Sequence, residues 1–161
     1  MNFQDYFVVM ALSFSGLFAG LVIALNVREE LEPGRKYFIL MQKSVVVAVL
    51  AVLVSFLPVP IVARAGLYLL AVLLAIVMVD SRIAYCLLGL VFFAVSGSQP
   101  HFLLAAVLVF IYGLVSGSLI ASGNSSRGVF AGIVASDRQV VLNFGFVIAA
   151  SAAFIMAQRP F

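Results

Sequence analysis

The residue best placed to do chemistry is a lysine set inside an apolar run. Lys43 follows Gln42 about two turns beyond Lys36 and leads into Val45-Val46-Val47. An ammonium at that depth is costly unless it snorkels to the rim or pairs, and Gln42, Asp80 and Asp137 are the partners available from the same side. Facing a water-filled cleft, it would suit an anionic solute or a lipid head group. Asn143, expected one to two turns into the last helix, and Asn124 with Arg127, in the polar turn Gly123-Asn124-Ser125-Ser126-Arg127-Gly128, could line the same cleft. The expected substrate-binding set is therefore Lys43, Asn124, Arg127 and Asn143. The competing structural reading is snorkelling for Lys43 and an interhelical hydrogen bond for Asn143, Tyr68, Tyr85 and Tyr112.

A second constellation is the island Arg28, Glu29, Glu30, Glu32, Arg35 and Lys36, with Pro33-Gly34 inside it. Paired carboxylates can act as general acid and base or hold a divalent ion. Glu29 and Glu30 are adjacent, so on a helix they would point about 100° apart, and no other carboxylate completes a metal shell. The island reads instead as a salt-bridged hairpin or a partner-docking surface. No metal site, cofactor or catalytic residue is expected. Gly113-Leu114-Val115-Ser116-Gly117 carries one residue more than the Gly-x-Ser-Gly of rhomboid proteases, and the sole histidine, His101, precedes it rather than follows. HExxH, Walker and paired-aspartate signatures are absent from the sequence.

Gly16 with Gly20 and Gly113 with Gly117 are small-xxx-small pairs that let helix backbones approach closely in lipid. They read either as packing within the chain or as a homodimer seam. The surroundings of Gly16-Leu17-x-x-Gly20-x-x-Ile23-Ala24 recur as Gly113-Leu114-x-x-Gly117-x-x-Ile120-Ala121, an echo that chance alone could produce in so apolar a chain.

The elements that must position these residues follow from composition. The chain has 161 residues, 65% of them hydrophobic and 9% charged, with a mean hydropathy of +1.27. So little polar surface cannot cover a water-soluble core. Hydrocarbon leaves each backbone polar group to be satisfied internally, and unbroken apolar runs such as 45–54 exclude the alternation of a barrel, so the expected class is all-α. Charged or Pro/Gly-rich islands divide the sequence into about six spans, at 7–27, 37–57, 61–79, 82–95, 102–121 and 136–157. The fourth is short for a hydrocarbon core of about 30 Å. A short re-entrant or interfacial helix is expected at 128–136, and Ser136 with Gln139 would form a capping box for the last span. The net charge of +3 points to orientation in a membrane and not to nucleic acid. Asp5 near the start and the length of the first apolar run argue against a cleaved signal. Cys86, the one cysteine, is expected to be a small core side chain.

Counting basic residues orients the chain. With both termini outside, the inner loops hold seven (Arg28, Arg35, Lys36, Lys43, Arg82, Arg127, Arg138) against two, Arg64 and Arg159. The hairpin 28–36 would then be cytoplasmic. The expectation is a single integral membrane domain over 1–161, partnered by the lipid bilayer and by a second copy or a larger membrane complex. Solute or ion transport at the polar cleft is the leading expected function. A non-catalytic scaffold or accessory subunit docking through 28–36 is the alternative, and a membrane enzyme acting on a lipid the third.

Overall fold

The computed structural model describes residues 2–26, 28–77, 81–123 and 144–157, and every regular element among them is helical. The helices are α1 (Phe3–Asn26), α2 (Arg28–Phe56), α3 (Ile61–Val77), α4 (Ser81–Ala94), α5 (Gln99–Gly123) and α6 (Gly145–Ala157), with a 3₁₀ turn at Val95–Gly97. Three are long and apolar enough to cross a membrane, over Gln4–Ala24, Pro33–Phe56 and Gln99–Ser122. The others are apolar but shorter: α3 has 17 residues, α4 has 14 and α6 has 13. At 1.5 Å per residue, α4 and α6 reach about 20 Å, well under the hydrocarbon thickness. Six expected spans thus become three of full length and three short helices among the described residues. The expected segment at 128–136 and the Ser136–Gln139 cap lie outside the described residues.

Packing partners fix the direction of each helix. Tyr6 of α1 lies beside Phe92 of α4 and Phe154 of α6, at ring separations of 5.5 and 4.5 Å. Phe14, two turns on, lies beside Tyr85 and Phe146. Both α4 and α6 therefore run antiparallel to α1. Gln42 meets Tyr112 and Ser116 while Phe56 meets His101, so α2 runs antiparallel to α5. Lys43 reaches Ile76 and Ser55 reaches Tyr68, so α3 folds back along α2. Among the described helices direction alternates from each to the next, and α1 and α5 come out parallel.

Two proline effects shape α2. After Phe56 the chain meets Pro58 and Pro60, which have no N–H to continue the ladder. The last α-type bond runs from Leu57 N to Leu53 O at 3.2 Å, and Arg64 folds back to place its guanidinium 3.4 Å from the carbonyls of Leu57 and Val59. Pro33 does the opposite of what the sequence suggests. The island 28–36 is not a hairpin: α2 begins at Arg28 and passes through Pro33 and Gly34 as helix. A type II Pro-Gly turn needs a glycine at positive φ, and none of the described glycines has one. Pro33 is exposed near the helix start, where water can take the carbonyl that loses its bond.

The core is an aromatic column. Tyr6, Phe92, Phe102, Phe146, Phe14 and Tyr85 are buried between α1, α4, α5 and α6, and the Tyr6 hydroxyl donates to Ala150 O at 3.2 Å. Large apolar side chains, among them Leu12, Val22, Leu70, Ile83, Leu103 and Ile148, face outward. Such a surface is tolerable in lipid and aggregating in water. Cys86 belongs to this outer surface and not to the core. Its sulfur lies against Gly145 of α6, where an added Cβ would be 2.6 Å from it.

Candidate functional site

The glycine pairs lie against each other inside one chain. A Cβ on Gly16 or Gly20 would fall on the Phe110 or Leu114 carbonyl oxygen, and one on Gly113 would be 2.6 Å from Leu17 N. At Gly117 it would meet the Leu17 carbonyl oxygen and lie 2.7 Å from Leu21 N. The two echoed segments therefore run side by side, parallel and level, with backbone touching backbone. Ser118 reinforces the seam by donating to Gly20 O at 3.4 Å and Leu114 O at 3.0 Å. These four glycines do not stand free for a second copy. Above them α1 and α5 leave an apolar groove of about 530 Å³ that Leu12, Leu103 and Val107 border.

An adjoining face of α5, about 100° round the helix from the glycines, carries polar contacts. Tyr112 and Ser116 are four residues apart, so they share one face, and Gln42 Nε2 donates to the Tyr112 hydroxyl at 3.1 Å and to Ser116 Oγ at 3.0 Å. Tyr85 of α4 completes the group, its ring edge-on to Tyr112 with centroids 4.9 Å apart and an 80° angle. Tyr85, Tyr112 and Ser116 are buried to 2% exposure or less, whereas Gln42 is half-buried. The Tyr85 hydroxyl lies near Ser116 but makes no hydrogen bond of acceptable geometry. A buried hydroxyl left so costs about 1–3 kcal/mol.

Lys43 turns away from this group. Its Nζ donates to Ile76 O at 3.1 Å, one residue before α3 ends. The last four carbonyls of a helix lack intrahelical donors, and the negative end of the dipole favours a cation there. The lysine caps α3 while Gln42, adjacent in sequence, faces α5. Of the expected cleft set, Asn124, Arg127 and Asn143 lie outside the described residues, as do Asp80 and Asp137, so among the described residues Lys43 stands without them.

The charged island forms the first turns of α2. Arg28, Glu29, Glu30 and Glu32 have helical backbone, and Arg35, Lys36 and Tyr37 are exposed. His101, at the other end of the bundle, bonds Ser98 Oγ through Nδ1 at 2.8 Å in the first turn of α5.

Gln42 and Ser116 are the interior polar residues that sequence reasoning undervalued. Ser116 entered only through the Gly113–Gly117 motif and Gln42 only as a partner for Lys43. The available signal was the spacing of Tyr112 and Ser116, which gives α5 a polar stripe beside the glycine face. Gly89 was missed altogether. A Cβ there would lie 2.6 Å from Phe146 O, so it brings α4 against α6. In comparisons with known proteins, no family model, no curated protein and no solved structure matches the chain.

Proposed function

We propose that this is a non-catalytic membrane-embedded accessory subunit that docks a partner through the charged beginning of α2. The observation that supports the reading is the continuity of α2: the helix starts at Arg28, and its membrane-compatible stretch starts only at Pro33. Charges on a helix that is continuous with an apolar span are held at fixed spacing. Less ordering entropy is then lost on binding than if they lay on a loop. Tyr37, 76% exposed beside Arg35 and Lys36, adds an aromatic anchor of the kind enriched at interfaces. By the count of basic residues this end is cytoplasmic and both termini are outside.

The test is photo-crosslinking in native membranes from benzoylphenylalanine at position 37. The expected result is one discrete protein adduct, lost in the Arg35→Glu/Lys36→Glu double variant and not formed from position 103. Adducts to lipid alone, or the same adduct from position 103, would remove the reading. Passage of a solute along a polar cleft is a second reading, favoured by the buried Gln42–Tyr112–Ser116 contacts. Solute flux into reconstituted vesicles that is unchanged by Gln42→Leu and by Lys43→Ala would discard it.

A further inference from the structure

We propose that the group formed by Gln42, Tyr85, Tyr112 and Ser116 is a binding site for a single small neutral hydrogen-bonding molecule, with water as its occupant. Tyr85 is 1% exposed, and its hydroxyl, with Ser116 near it, makes no hydrogen bond of acceptable geometry. Its ring is held edge-on by Tyr112 at 4.9 Å and by Phe14 at 6.4 Å, so it cannot swing outward to find a partner. Around it, the chemistry of a water site is assembled. Both N–H groups of the Gln42 amide are engaged by α5, to Tyr112 at 3.1 Å and to Ser116 at 3.0 Å, which leaves the amide oxygen as an acceptor. With the Ser116 and Tyr85 hydroxyls, that oxygen makes three polar groups from three helices, the number a buried water ordinarily satisfies.

The group is selective by charge. Its four members are an amide, two phenols and a hydroxyl, and the neighbouring cation, Lys43, is directed to the Ile76 carbonyl on α3. An ion in a membrane interior needs a counter-charge or a shell of oxygens, and a neutral molecule needs neither. Gln42, half-buried, is the member of the group nearest the outside.

Tyr6 is the internal control. It is as buried as Tyr85, but its hydroxyl is already bonded to Ala150 O at 3.2 Å. X-ray hydroxyl-radical labelling of the full chain in nanodiscs, where radicals form from water beside the side chain they modify, is expected to label Tyr85 several-fold faster than Tyr6. Equal rates overturn the proposal. Tyr85→Phe gives a second readout with a diagnostic sign. With a water bound, the variant loses a partner and its Tm falls by a few degrees. With none, it sheds an unpaired hydroxyl and its Tm rises, which also overturns the proposal. Should the variant not fold, the labelling ratio in the unaltered chain decides by itself.

Discussion

Helix α5 is held on two faces by opposite means. Toward α1 it presents Gly113 and Gly117, and the contact is backbone on backbone. Toward α2 it presents Tyr112 and Ser116, and the contact is two hydrogen bonds from one amide. Lipid gives neither face a hydrophobic reason to associate, since the tails are as apolar as leucine. The glycine face works through close approach and the dispersion contacts that follow; the polar face works because its groups have few other partners. The difference predicts that the first face tolerates no added atoms, while the second yields gradually.

The largest effect is expected at Gly117. A Cβ there would meet the Leu17 carbonyl and sit 2.7 Å from Leu21 N, and backbone atoms cannot rotate away as a side chain would. Gly117→Leu should exceed the roughly 1–3 kcal/mol of ordinary overpacking. The expected outcome is loss of the monodisperse folded peak in detergent. A variant that folds with unchanged resistance to SDS would show that α1 and α5 are not joined there, and a dimer that becomes a folded monomer would return these glycines to an intermolecular seam.

Gln42→Leu probes the other face. Interhelical hydrogen bonds in membrane bundles average about 0.6 kcal/mol, so losing two should cost about 1 kcal/mol. A loss as large as that at Gly117, in the same SDS titration, would erase the contrast between the faces. Lys43→Met, on the neighbouring position, removes the cap on α3 while keeping the length of the side chain. A charge at a helix end contributes about 0.3–1 kcal/mol. The expected sign is local: faster amide exchange in the last turn of α3, with the exchange of α5 unchanged.

What the sequence revealed follows the range of each interaction. The helical class and the stop at Pro58 and Pro60 were legible because they depend on local chemistry: apolar runs in lipid and missing N–H donors. The glycine pairs were legible as seams, but whether they meet within the chain or between copies depends on distant residues. Pro33-Gly34 misled for a local reason that lost to its neighbours. Seven of the nine residues 28–36 are Arg, Glu, Leu or Lys, all good helix formers, and together they outweigh one proline near a helix start. Lys43 was legible as an unusual charge, but its partner was not, because a carbonyl at the end of α3 has no side-chain signature. Cys86 was read as core because its whole segment is apolar, and in lipid an apolar surface is as ordinary as an apolar interior. The division into six spans rested on the same apolar runs; among the described residues three helices are long enough to cross and three are shorter.

The smallest expected effect is also the cleanest control on the glycine argument. Gly66 lies within α3, and a Cβ there would have nothing within 4 Å. It is a helix-interior glycine with no packing role, so it carries the entropic cost of glycine without the close approach that justifies the cost at Gly16, Gly20, Gly113 and Gly117. Gly66→Ala should stabilise α3 by about 0.5–1 kcal/mol, read as slower amide exchange through α3. Because Lys43 holds the far end of that helix, the gain should persist in Lys43→Met, the two sites being too distant to couple. If Gly66→Ala destabilises instead, something covers that side of α3 in the membrane, and the comparison between occupied and idle glycines would have to be redrawn around it.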